Sequence, residues 1–420
     1  MALRATTSAV EPDLLFLPWR LALEQWPAED TVALPRGISR HTVRFVRVND
    51  SVYAVKEIEE SFAQREYELL FDLRRLGAPC VEPVGVIAGR TDSDGEDLPA
   101  ALITRHLPYS LPYRSLVTTT LTWETGERML DALVLLLVRL HLLGFAWNDC
   151  SLSNTLFRRD AGAFSAYLVD AETGELHGTL SRGQRSYDID TATMNLMGEL
   201  MDLQAGGFVP ASFDVMVIGE QLRSRYEHLW MTLTEPVTVS GTDRRHIHIM
   251  LRTLNGLGFD VAELTAEAGE GGSVIHVRPK VVDAGHHRRR MLRLTGIDMH
   301  ENQARRLLND LDAFRLVVDP DEDEQVVAHR WVAEVYEAIL RRIPRALRGK
   351  LEPPELVHEV LAHRWYASER GDGDVGLDWA IDDYVATELH HKPDESAVLG
   401  SSVAAPDPDD DVDLDEDPAG

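Results

Sequence analysis

The stretch 124–143 constrains the fold most. From Leu130 to Leu143 it is apolar apart from Asp131, Arg139 and His141. That run falls short of the roughly 18–20 apolar residues of a membrane span. The chain must therefore bury this helix on most sides inside a protein core. Gly144 closes it. Directly afterwards comes Trp147-Asn148-Asp149-Cys150-Ser151-Leu152-Ser153-Asn154, polar residues in an apolar frame. Ala166–Val169 then reads as a short strand ending at Asp170. A buried helix thus delivers a carboxylate, an amide five residues later, and a second carboxylate at a strand end.

Upstream, the pattern is strand-rich. Residues 12–34 read as an entry segment with a short helix. Residues 41–48 alternate like a half-buried strand, Asn49-Asp50-Ser51 is a turn, and 52–58 is a second strand, which predicts a hairpin. Residues 61–76 carry Phe62, Tyr67, Leu69, Leu70, Leu73 and Leu76 at near-helical spacing, stopped by Gly77. Val81–Ala88 and Ala100–Thr104 are apolar strands joined by the polar loop Gly89–Asp97. Downstream, 188–204 and 213–232 read as helices. A further domain over 241–392 is expected: a helix at 243–257, strands at 259–267 and 273–282 around Gly269-Glu270-Gly271-Gly272, and helices near 284–294, 300–314, 325–342, 353–369 and 376–390. There is no internal repeat.

The chain of 420 residues has 42 Lys and Arg against 70 Asp and Glu, a formal net charge of −28. Such a surface repels phosphates and argues against a general nucleic-acid or anionic-membrane binder. Ten of the acids lie in 393–420, which has no Lys or Arg and reads as a disordered acidic tail. The rest keeps 42 basic against 60 acidic side chains. Cys80 and Cys150 are too few for a disulfide framework or a thiolate zinc site, and point to a reducing compartment. No signal peptide or membrane span is apparent, so the expected location is cytoplasmic.

The chemistry follows from residue order. One carboxylate, Asp149, suits a general base for an attacking hydroxyl; an amide oxygen, Asn154, and a second carboxylate, Asp170, suit Mg²⁺ against nucleotide phosphates. Upstream, Val55-Lys56 on a strand offers a phosphate-pairing lysine, and Glu66 on the next helix an ion-pair partner, with Glu68 as the alternative. The order Lys–Glu–Asp–Asn–Asp, each on its expected element, resembles the protein-kinase-like superfamily. It is most similar to the atypical branch of lipopolysaccharide (Kdo) kinases and RIO kinases. Ser151 stands where conventional kinases have Lys, as in RIO kinases. Arg65-Glu66-Tyr67, Leu76-Gly77-Ala78-Pro79 and Glu82-Pro83 fit that branch too. The resemblance covers about 35–205. The segments Asn302–Asp310 and His358–Trp365 resemble an uncharacterised actinobacterial family whose members carry this kinase-like half.

The resemblance implies an α+β, two-lobed kinase-like fold: an N-terminal extension (1–34), a β-rich N-lobe (35–107), a helical C-lobe (108–240), an extra, mostly helical α+β domain (241–392) and the tail (393–420). It implies ATP and Mg²⁺ as cofactors. Lys56 would contact the α/β-phosphates and Glu66 orient it. Asp149 would be the catalytic base, and Asn154 and Asp170 the Mg²⁺ ligands. Gly37 would lie over the nucleotide, and the adenine would meet backbone at Arg105, His106 and Leu107. The acceptor would be a hydroxyl of a protein or a sugar-like small molecule.

Three departures stand out: one glycine in the phosphate loop, Trp147 two before the catalytic Asp, and Ala171-Glu172 after the metal Asp. They support an alternative, a catalytically weak or inactive scaffold that binds nucleotide or a phosphorylated partner. Asp188 and Asp190 are candidates to brace the catalytic loop. Cys150 reads as a small buried side chain. His246, His248 and the pairs His286–His287 and His390–His391 read as surface histidines. His286-His287-Arg288-Arg289-Arg290 with Arg293 is the one dense basic patch, a solvated face or a site for a compact anion.

Overall fold

The structure is a computed structural model and describes residues 3–7, 11–32, 41–49, 51–120, 122–210, 213–235, 237–240, 249, 252, 259–268, 274–371 and 373–396. Gly37, His246, His248 and the expected helix at 243–257 fall wholly or almost wholly outside these residues.

The N-lobe is a five-stranded antiparallel sheet. Its strands are β1 (Arg4–Thr7), β2 (Val43–Val48), β3 (Ser51–Ile58), β4 (Glu82–Ala88) and β5 (Ala100–Arg105), in the order β1-β4-β5-β3-β2. The hairpin of β2 and β3 turns at Asn49, whose φ of 54° suits the left-handed preference of asparagine. Helix α1 (Glu60–Arg75) packs beside β4 and β5. The N-terminal extension is part of this lobe. β1 adds an edge strand beside β4. Instead of one short helix there are three single 3₁₀ turns. From them Leu14, Trp19, Leu23 and Trp26 are buried against Val46, Tyr53, Val55 and Ile103. Arg90 fastens that segment: its fully buried guanidinium donates to Glu57 (2.8 Å) and to the carbonyls of Trp19, Leu21 and Pro99.

After β6 (Leu111–Pro112) the chain becomes helical: α2 (Tyr113–Thr120) and then α3 (Trp123–Leu142), with ten buried residues from Met129 to His141. Thr122 caps α3 by accepting from the Thr125 N–H. The short strand β7 (Phe145–Ala146) pairs with β10 (Glu175–Leu176). Between them β8 (Thr155–Asp160) and β9 (Ala163–Leu168) form a hairpin lying on α3. Helices α4 (Arg182–Ala205) and α5 (Val215–Thr234) complete the lobe.

The expected boundary at 240 falls inside a sheet. β11 (Val237–Ser240), β12 (Phe259–Ala268) and β13 (Val274–Ala284) pair antiparallel in the order β11-β13-β12, and buried Phe259 belongs to the C-lobe core. Helices at His286–Thr295, Glu301–Val318, Glu324–Trp331, Glu337–Arg342, Pro353–Arg370 and Leu377–Thr387 surround a separate core around Met291, Leu307, Trp331, Leu356 and Tyr384. Trp331 and Glu337 are joined through a turn of π-helix.

This domain grips the β8–β9 hairpin. Asp160, 1% exposed, accepts from Gln303 N–H (2.8 Å) and Asn302 Nδ2 (3.1 Å). Gln303 Nε2 donates to Arg159 O and to Glu355 Oε2, and Arg158 pairs with Glu352 at 2.6 Å. Ordered structure also runs four residues into the stretch read as tail. The Glu395 and Ser396 N–H groups donate to Lys350 O and Gly349 O. Glu395, 3% exposed, pairs with Arg159 Nε at 2.5 Å. Charge composition hides this because one buried carboxylate with a guanidinium partner reads like its solvated neighbours. Truncation after Lys392 is therefore expected to cost roughly 1–3 kcal/mol in urea unfolding.

Candidate active site

Lys56 leaves β3 toward the cleft and is 9% exposed. Its Nζ lies 2.7 Å from Asp170 Oδ2, 3.0 Å from Glu66 Oε2 and 3.3 Å from Glu172 Oε2. Burial works against its charge, but the Glu66 and Asp170 carboxylates outweigh it and raise the lysine above its ordinary value. Burial, and then Asp170, push the Glu66 carboxyl up to about 7, with Lys56 opposing. Glu66 shares the buried face of α1 with Ala63, Tyr67, Leu70 and Leu73. Glu68 points outward and accepts from Gln64. The lysine's helical partner is thus Glu66. Glu172, which the sequence reading treats only as a departure, is the third carboxylate, and His41 Nε2 sits 2.9 Å from it.

The loop after α3 is held from below by Asp188 on α4. This fully buried carboxylate accepts from the N–H groups of Trp147 (2.7 Å) and Asn148 (2.8 Å) and lies 2.9 Å from His141 Nε2. Asn148 takes φ 62°. Asp190, the other brace candidate, is on the surface with Arg223. Gly144 is required where it stands: its φ is +83° and a Cβ would lie 2.2 Å from His177 O. Trp147 Nε1 donates to Asp170 O at 2.7 Å, tying the two carboxylate segments together. Asn154 Nδ2 donates to Asp149 O and Oδ2, while Asn195 Nδ2 donates to Asp149 Oδ1 at 3.1 Å. Glu199 accepts from the N–H groups of Leu152 and Ser153. Asn195 and Glu199 escaped the sequence reading; their spacing on α4 from Asp188 was the available signal. Ser151 Oγ accepts from the Asn154 N–H, so it shapes the loop.

A cavity of about 450 Å³ opens between the lobes, lined by Lys56, Glu66, Asn154 and Asp170 and by Arg105, His106 and Leu107 at the lobe connection. The Arg105 side chain is turned to Glu82 and Ser51, and the His106 N–H is spent on Val52 O. Burial lowers the His106 imidazole to about 4.

The donor set fits a hard cation. Asn154 spends its NH₂ on Asp149, which leaves its carbonyl oxygen as a ligand atom beside the Asp170 carboxylate on the same cavity. Among the described residues Glu66, Asp170 and Glu172 form the one cluster with metal-ligand spacing. The Lys56 ammonium holds all three of these carboxylates.

The other candidates resolve as packing. Cys150 is fully buried, and burial pushes its thiol well up, which suits a core residue. In the basic patch Arg288 pairs with Asp298, Arg290 with Asp312 and Glu324, and His287 with Glu301. Arg288, Arg290 and His287 of the patch are thus each paired with a carboxylate.

The fold and cleft define a kinase-like unit with an appended C-terminal domain. Residues 40–198 match the model of the Lipopolysaccharide kinase (Kdo/WaaP) family, and residues 228–389 match a model described as a Domain of unknown function (DUF4032). Residues 40–198 are thus Kdo/WaaP kinase-like. Among solved structures the chain is similar to one titled "WaaP in complex with acyl carrier protein", at 15% identity and a TM-score of 0.34, covering 60% of this chain and 94% of that one. No curated protein matches. Among the described residues no helix is long and apolar enough to cross a membrane.

Asp188→Ala orphans the buried Trp147 N–H and the half-buried Asn148 N–H and is expected to destabilise the protein by about 2–4 kcal/mol in urea unfolding. His106 gives a pH signature. Its folded value lies below its unfolded value of about 6.5, so no cost exists above pH 6.5. Protonation of the unfolded chain then erodes stability as pH falls, fully below about 4. His106→Leu is expected to flatten that part of the stability–pH curve.

Proposed function

We propose that this protein is an ATP- and Mg²⁺-dependent phosphotransferase whose acceptor is a hydroxyl of a sugar-like molecule. One observation carries the reading. Lys56, Glu66, Asn154 and Asp170 line a single cavity, and Asp149 is hydrogen-bonded to Asn154. Lys56 supplies a fixed cation where phosphate oxygens would lie, and Glu66 keeps it there. Asp149 receives the proton of the attacking hydroxyl, its carboxylate oriented by Asn154 and Asn195. Mg²⁺, held by Asn154 and Asp170, would neutralise phosphate charge during transfer. With nucleotide phosphates in the cavity, Lys56 would exchange its contact with Asp170 for them, which would leave Asp170 to hold the cation. The match of residues 40–198 to a lipopolysaccharide kinase family supports a sugar-type acceptor.

Asp149→Asn is expected to reduce phosphate transfer at least about 100-fold while leaving nucleotide affinity nearly unchanged, because the base acts on the acceptor. Lys56→Ala weakens both. Transfer from labelled ATP to a panel of sugars, alongside a binding titration, checks this. Full turnover by Asp149→Asn overturns the assignment of the base. Nucleotide binding with no transfer to any acceptor supports the inactive scaffold instead.

A further inference from the structure

The C-terminal domain ends on the cavity. Lys350 Nζ donates to His390 O and Lys392 O, and Lys392 Nζ donates to Glu359. Backbone bonds join Glu395 and Ser396 to Lys350 and Gly349. Gly349 admits this strap because a Cβ there would lie 2.6 Å from Ser396 Oγ. The strap places Glu395 on the cavity wall. Its carboxylate is buried, and Arg159 Nε is its one hydrogen-bond partner among the described residues.

The same wall includes Tyr109 and Ser110, which follow the Arg105–Leu107 connection by two to three residues. Burial, then the Glu352 and Asp394 carboxylates, raise the Tyr109 hydroxyl above its ordinary value. The Ser110 hydroxyl is buried and finds no hydrogen-bond partner among the described residues. Lys56 stands with Asp170 and Asn154, Arg44 and Arg105 add further cations to the wall, and Glu395 lines the same cavity as Tyr109 and Ser110.

We propose that Glu395, delivered by the C-terminal domain, reads the ribose of a nucleoside triphosphate. This rests on the nucleotide reading of the cavity. With the base at the lobe connection and the phosphates at Lys56, the sugar lies between them. Its two hydroxyls are donors, and a carboxylate accepts from both, while an anion at that point disfavours a phosphate. Arg159 fixes the carboxylate in place. The appended domain thereby supplies a specificity residue to the kinase-like cleft as well as a grip on its hairpin.

The test is calorimetric titration of the full chain with ATP and with 2′,3′-dideoxy-ATP, both with Mg²⁺. The wild type is expected to prefer ATP by about tenfold, the worth of a charge-assisted hydrogen bond. Glu395→Ala is expected to lose about tenfold for ATP and nothing for the dideoxy nucleotide. Glu395→Gln, which keeps an acceptor oxygen for Arg159, guards against misfolding and is expected to lose most of the preference. Equal weakening of both nucleotides would make Glu395 a purely structural strap and overturn the proposal. ATP binding without any preference for ribose overturns it too, while the nucleotide reading stands. Absence of binding by either nucleotide removes both.

Discussion

One ammonium group, Lys56 Nζ, sits against three carboxylates drawn from both lobes. Glu66 arrives from the N-lobe helix, and Asp170 and Glu172 from the segment after β9. Charges this sheltered are tolerated only when paired. Removing the cation leaves three clustered anions, and removing Glu66 leaves the lysine held from one side only. The positions of β3, α1 and the β9 exit are thus mutually dependent. The Trp147 indole bond to Asp170 O carries the same constraint to the loop after α3, and Asp188 passes it on to α4.

A second constraint comes from the appended domain. The β8–β9 hairpin begins one residue after Asn154 and ends two before Asp170. Its far end is anchored by Asp160, Gln303, Glu352 and Glu355. Burial pushes the Glu355 carboxyl up to about 7, against the hydrogen bonds it accepts from Ala161 N–H and Gln303 Nε2, which favour its charged form. The two candidate cation ligands therefore stand at one end of a hairpin whose other end belongs to the C-terminal domain.

Much of this was legible in the sequence because it depended on local pattern. The buried helix over 124–143, the hairpin around Asn49 and the Lys–Glu–Asp–Asn–Asp order rest on periodicity and short spacing. Even the choice between Glu66 and Glu68 was encoded: Ala63, Glu66, Tyr67 and Leu70 recur at helical spacing, and Glu68 does not. What escaped depends on distant partners. Arg288 and Arg290 read as a basic patch because Asp298, Asp312 and Glu324 are remote in sequence. Glu395 read as tail because Arg159 lies 236 residues earlier. Edge strand β1 has only four residues, all exposed, so it leaves no hydrophobic alternation to detect.

The account turns on Lys56 exchanging partners. A crystal structure of the full chain with Mg²⁺ and a non-hydrolysable ATP analogue tests this most directly. The account predicts phosphate oxygens within hydrogen-bond distance of Lys56 Nζ, Glu66 still paired with it, and Asp170 and Asn154 turned onto the cation. A nucleotide bound elsewhere, or one bound in the cleft with the Lys56–Asp170 contact intact and no cation on Asp170, would contradict it.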